Sequence, residues 1–139
     1  MAPEPRIELT TLLLCDYALT SQDGKISAVG IFSQVTVNRL PTAHPRLFIV
    51  AVLEADPGPY ELHLQVVSPS GDGLLREQPR LRISVPDGAT TANIVADLKG
   101  LRLTEMGRHR IELRSGSRLL GGAPFNVSLV WRQQKAASA

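Results

Sequence analysis

Residues Arg108–Arg114 read RHRIELR, and the side chains alternate strictly: His109, Ile111 and Leu113 on one side, Arg108, Arg110, Glu112 and Arg114 on the other. A period of two is the signature of an extended strand with one face in a core and one in water. The same pattern recurs. Tyr60, Leu62, Leu64 and Val66 alternate with Glu61, His63 and Gln65. Leu81, Ile83 and Val85 alternate with Arg80, Arg82 and Ser84, and Ile94, Ala96 and Leu98 with Val95 and Asp97. Phe125, Val127, Leu129 and Trp131 share one face of the last segment.

Turn residues punctuate these runs. Asp23-Gly24, Pro57-Gly58-Pro59, Ser68–Gly73 and Ser115-Gly116-Ser117 separate them, and glycine takes a positive φ without steric cost. Further strands are expected over Ile7–Leu19, over Lys25–Phe32 with Ser33–Asn38, and over Arg46–Glu54. Gly30 is the candidate bulge, and Pro41 and Pro45 mark a loop. The best helical stretch, Leu98–Met106, is interrupted by Gly100 and closed by Gly107. Short strands joined by tight turns leave no room for βαβ crossovers. The expected fold is all-β: an immunoglobulin-like antiparallel β-sandwich of about eight or nine strands. The 139 residues form one domain, folded over about 7–132, with a tail at 133–139. The segments beginning at Gly58 and Gly107 echo each other, and two similar hairpins explain that more simply than a duplication.

The stretch LLLCDYAL, residues 12–19, holds the one cysteine. Leu12, Leu14 and Asp16 point one way, and Leu13, Cys15 and Tyr17 the other, so neither side is clearly polar. A strand inside the sandwich is expected. Arg46–Glu54, RLFIVAVLE, has the same two-sided apolar character and reads as a central strand covered on both faces. Cys15 as a nucleophile would need an electropositive pocket and a base. Burial and the neighbouring Asp16 oppose thiolate formation.

Glu4 and Glu8 occupy the place of a signal peptide's positive charge, and Asp16 interrupts its apolar run. No segment approaches the roughly 20 apolar residues of a membrane helix. With one cysteine, no internal disulfide or Cys/His metal spacing forms, and a cytoplasmic setting is expected. The Asn126-Val127-Ser128 triplet lies in a strand-like run and is discounted as a glycosylation acceptor. No GxxxxGK, GxGxxG, HExxH or GxSxG motif occurs, and Gly121-Gly122 reads as a bulge or loop rather than a phosphate cradle. Asp16, Asp23, Asp56 and Asp72 match no calcium-loop spacing. No cofactor, no metal and no catalytic residue is expected.

Charge is unevenly spread. Residues 1–75 carry four basic and eight acidic side chains, and residues 76–118 nine basic and five acidic, so a net charge of +2 hides a −4 part and a +4 part. Alternation turns Arg80, Arg82, Arg108, Arg110 and Arg114 outward. If their strands adjoin, they form a basic patch; otherwise they belong to a solvated face with Glu112 in cross-strand ion pairs. The surplus is small and exposed stacking aromatics are scarce, which argues against nucleic acid.

The segments LLLCDYA, DGKISAVGIFSQV, HPRLFIVAVLE and NIVADLKGLRLTEMGRHRIELRSGSRLLGGAPFNV, taken together, resemble a bacterial family carried only as a domain of unknown function. The resemblance spans residues 9–130. His109 stands where that family usually has Tyr, and Ser115-Gly116-Ser117 where Asp-Gly is usual. The resemblance implies a β-sandwich and no reaction.

The function expected is a non-catalytic protein-interaction module. Its binding surface is the arginine face or an open sheet edge, and an edge also offers a route to a homodimer. The alternatives are a Cys15-dependent hydrolase and a small-ligand or carbohydrate module using Trp131 or the two tyrosines.

Overall fold

The computed structural model describes residues 5–130. Nine strands follow one another: β1 Ile7–Thr20, β2 Ile26–Phe32, β3 Gln34–Val37, β4 Thr42–Ala55, β5 Gly58–Val67, β6 Arg80–Val85, β7 Thr91–Leu103, β8 Gly107–Ser115 and β9 Arg118–Leu129. They form two sheets, one in the order β2-β1-β4-β7 and one in the order β3-β9-β8-β5-β6. β4 beside β7 in one sheet, facing β5, β8 and β9 in the other, is the layout of an immunoglobulin-like sandwich.

The core lies between the sheets, where the alternation placed it. Leu62, Leu64 and Val66 of β5 and His109, Ile111 and Leu113 of β8 are buried, and they meet Leu47, Ile49, Ala51 and Leu53 of β4 and Ile94, Ala96 and Leu98 of β7. Fully burying each aliphatic side chain is worth roughly 1.5–3 kcal/mol, which makes the period-two pattern decisive over local preference. His109 lies deep in this core. Its ring stacks on Phe125 at 5.0 Å, and its Nδ1–H donates to the Gly107 carbonyl at 3.0 Å. Its Nε2 has no partner among the described residues.

Several expectations need correction. The pairing is antiparallel except between β3 and β9, which run parallel. The stretch expected as one bent strand or two short ones is two: it divides at Ser33, and β2 pairs with β1 in one sheet and β3 with β9 in the other. Pro45 lies within β4 rather than in a loop. β1 covers β4 only from Ala55 to Phe48, so at Pro45 one side of β4 is a free edge, and the β4–β7 register is the same on either side of it, His44↔Leu101 and Arg46↔Lys99. Gly30 is not a bulge, because the β1–β2 register is the same on either side of it. The shift in β1 falls between Leu9 and Thr11. The segments expected separately at Arg118–Leu120 and from Phe125 join into one strand through Gly121-Gly122. A Cβ on Gly122 would come within 2.6 Å of the Ile111 carbonyl oxygen, so glycine there admits close packing of β8 on β9. The echoing segments at Gly58 and Gly107 become β5 and β8, antiparallel neighbours in one sheet. Trp131 and the 133–139 tail lie outside the described residues.

Candidate functional site

The two outer surfaces of the sandwich are chemically unlike. On the five-stranded sheet, the polar half of each alternating strand faces water. β6 and β8, which carry the arginines, are not neighbours, because β5 lies between them. The intervening strand joins the charges rather than separating them. His63 is the register partner of Arg80 on one side and of Arg114 on the other, giving a transverse row Arg80, His63, Arg114. Glu61 pairs in register with Arg82, Gln65 with Glu112, and Val67 with Arg110. Arg108 lies opposite Asn126 of β9. All five sequence-selected arginines therefore share one face.

Ion pairing on this face is loose and mostly within strands. Glu112, half-buried, lies between Arg110 at 3.6 Å and Arg114 at 3.4 Å, its neighbours two residues away on β8. The expected cross-strand pairs with Glu112 do not form; Glu61 supplies one instead, 3.8 Å from Arg80. Arg82 and Arg108 have no ion-pair partner among the described residues. An open cleft of about 660 Å³ lies at the β6 side, lined by His63, Glu77, Gln78, Pro79 and Arg80. The β5–β6 connection closes one flank of the sheet through Gln65, whose Oε1 accepts from the Leu75 N–H at 2.9 Å and whose Nε2 donates to the Leu75 carbonyl at 3.2 Å.

The outer surface of the four-stranded sheet is apolar. Cys15, Phe48 and Val50 are buried there, packed with Leu13, Ile26, Ala28 and Val95. The tip of the β1–β2 hairpin provides part of that burial: Ala18, itself buried, packs in this cluster with Ile26 and Ala28, and the Asn93 Nδ2 of β7 donates to the Gly24 carbonyl at 3.2 Å. Tyr17 meets Phe48 edge-on at 5.3 Å, and the Arg46 guanidinium stands 4.8 Å over the same ring. Arg46 is fixed by a bidentate pair with Asp97, at 2.9 and 2.7 Å. That hydrogen-bonded pair holds the Asp97 carboxyl below the usual carboxylate range and raises the Arg46 guanidinium. Tyr17, Leu19, Val29 and Ile31 remain 48, 43, 59 and 63% exposed. The expectation that Arg46–Glu54 is covered on both faces holds for its middle, where Leu47 to Ala51 are all buried, whereas Tyr17 and Leu19 of β1 lie exposed.

Cys15 has no solvent exposure. Burial, the largest cause, pushes its thiol up; Asp16 adds to this, against backbone donors from Tyr17 and Val29. His63 stands on the other sheet's outer face and His109 in the core, while His44 lies against Phe32 at 6.2 Å. Asp16 is exposed in mid-strand beside Gly30, not at a strand end. Among the described residues no group of three or more His, Cys, Asp or Glu side chains could hold a metal ion, so the four aspartates do not assemble a calcium site. The Tyr60 hydroxyl is engaged, donating to the Asp56 carbonyl at 2.6 Å. Among the described residues no helix is long and apolar enough to cross a membrane.

The family of unknown function DUF6941 matches residues 10–128. The chain belongs to that family. No curated protein matches it in sequence. Among solved structures, part of the Pseudomonas fluorescens alkylpurine DNA glycosylase AlkC is similar to this family member at a TM-score of 0.50 and 16% identity, over 88% of this chain and 30% of the glycosylase. Part of the Listeria innocua β-glucosidase is similar at 0.50 and 7% identity, over 92% of this chain and 16% of the enzyme. An immunoglobulin-like protein of Pseudomonas aeruginosa, PA1606, aligns at 0.42 and 16% identity, over 88% and 96% of the two chains. The chain thus spans less than a third of the glycosylase and of the glucosidase, and at these identities the likeness concerns the fold alone.

Proposed function

We propose that this DUF6941 protein is a non-catalytic protein-interaction module whose basic sheet face takes an acidic surface of another protein. One observation carries the reading. The order β8-β5-β6 places Arg114, His63 and Arg80 in one row, with Arg82, Arg110 and Arg108 on the same face. Glu61 and Glu112 are the acidic side chains in those rows, so guanidinium groups outnumber carboxylates. Guanidinium forks suit planar carboxylates, and two of the five, Arg82 and Arg108, are not committed to ion pairs among the described residues. No cofactor, metal or nucleic acid enters the reading. A cytoplasmic setting belongs to it, since the single cysteine is a free, buried thiol.

The test is affinity capture from the native host with mass spectrometry, comparing wild type with a variant in which Arg108, Arg110 and Arg114 are all serine. The expected result is a captured protein that is lost with the arginines and released by moderate salt, as charge-steered binding requires. Equal capture by the two forms rejects the face as the site.

A further inference from the structure

We propose that the β2 edge of the four-stranded sheet is a self-association surface, on which a second copy of this chain adds antiparallel about a twofold axis. The two copies then share one continuous eight-stranded sheet. This surface lies on the opposite sheet from the basic face and does not depend on what that face binds.

The edges of the sandwich are not equally guarded. Exposed strands carry unpaired N–H and C=O groups, and proteins blunt them with charge, proline or brevity. β7 carries Asp97, Lys99 and Arg102. β6 carries Arg80 and Arg82 and is bracketed by Pro79 and Pro86, while β3 has four residues. β2 reads ISAVGIF, seven residues with neither a charge nor a proline. Gly30 takes φ +70°, and Tyr17↔Val29 and Cys15↔Ile31 keep one register across it, so β1 and β2 turn together and β2 stays the outermost strand.

The exposed apolar side chains collect at the same place. Seven large hydrophobic residues are exposed among the described residues, and Tyr17, Leu19, Val29 and Ile31 are four of them. Register makes them contiguous, because Tyr17 pairs with Val29 and Leu19 with Ser27 on the same hairpin. Arg46 and the Tyr17–Phe48 pair continue the patch inward, the aromatic and arginine composition found at the centres of protein interfaces.

Charge selects the occupant. The one cation of the patch is already neutralised by Asp97, and the strand itself has no charge. An acidic or basic segment gains nothing there, whereas an identical uncharged strand matches it. With the twofold axis at Val29, that residue faces its own counterpart, Ser27 faces Ile31, and Lys25 faces Ser33. No like charges meet in this register, and the contact closes on itself as an isologous dimer.

The full chain should sediment at twice the monomer mass in analytical ultracentrifugation. Val29→Lys and Val29→Glu, each at an exposed position, should each give a folded monomer, because the twofold axis brings like charges together. Mixing the two should restore the dimer, since the opposed charges then complement one another. Ile31→Lys should also give a monomer, and the serine variant of Arg108, Arg110 and Arg114 should remain dimeric. A monomeric wild type at the highest soluble concentration overturns the proposal. So does a dimer that survives both Val29 variants, or a mixture that fails to reassociate.

Discussion

The two outer surfaces belong to one sandwich, yet one is charged and the other apolar. β5 and β8 alternate cleanly, so over Glu61–Gln65 and Arg108–Arg114 every side chain not in the core is Glu, His, Gln or Arg. β1 and β4 put apolar residues on both faces, and on the second face Ala18, Ile26 and Ala28 of the β1–β2 hairpin pack with Cys15, Phe48 and Val50, while Tyr17 and Arg46 flank Phe48. The contrast teaches that a strand apolar on both faces needs cover on both, and that this chain supplies it with its own hairpin, whose other side chains Tyr17, Leu19 and Val29 then meet water.

The sharpest way to break this comparison is to place a carboxylate on each surface. Val50→Asp puts a charge among buried apolar groups and should destabilise the protein by about 3–5 kcal/mol in urea unfolding. Arg82→Asp, on the exposed basic face, should fall within about 0.5 kcal/mol of wild type. Equal tolerance would mean that the apolar outer surface is not packed at all.

Gly30→Ala should cost roughly 1–3 kcal/mol. Its φ of +70° suits glycine, and a Cβ there would run into the Asp16 carboxylate. Asp16→Ala should relieve only the steric part, so the double variant should stay below wild type in melting temperature. Full recovery in the double variant would place the whole penalty in the clash.

Arg46 and Asp97 sharpen the electrostatic side of the comparison. The folded Asp97 carboxyl sits below its ordinary value of 3.8, chiefly through the hydrogen bonds from Arg46. A depressed carboxyl adds stability above its unfolded value, and that addition is lost as pH falls through the folded value. Wild type should therefore lose this increment on acidification below about pH 3.8, whereas Arg46→Met, lacking it, should show a flatter profile there. Parallel acid-unfolding curves would remove the pair as a contributor.

Replacing Arg108, Arg110 and Arg114 with serine should change stability little, within about 1 kcal/mol in total, since exposed ion pairs contribute little. The same comparison predicts thiol behaviour. Cys15 in the native protein should resist an alkylating reagent and react once denaturant opens the outer patch. Rapid native labelling would show the patch to be open, and would revive a chemical role for the sulfur.

Much of this arrangement was legible in the residues. His109, Ile111 and Leu113 went inward and Arg108, Arg110 and Arg114 outward as their alternation required, because strand geometry fixes the face of every second side chain. The basic face was legible as a set of residues but not as a row, since His63 came between Arg80 and Arg114 only through the pairing of β5 with both β6 and β8. Tyr17, Val29 and Ile31 were missed as a surface. The two-sided apolar character of LLLCDYAL and RLFIVAVLE signals burial on both faces, which Cys15 and Leu47 to Ala51 have, and carries no signal for the exposed side of the hairpin that supplies part of it.

By itself the sequence determined which segments extend, where they turn, and which half of each alternating strand meets the core. These are local consequences of a two-residue repeat and of glycine and proline stereochemistry. Only the tertiary structure decided that the chain changes sheets at Ser33, that β5 bridges the two arginine strands, and that the β1–β2 hairpin folds onto the second apolar face of β4. Those outcomes depend on hydrogen bonds between residues far apart along the chain, and no single segment records which neighbour it will meet.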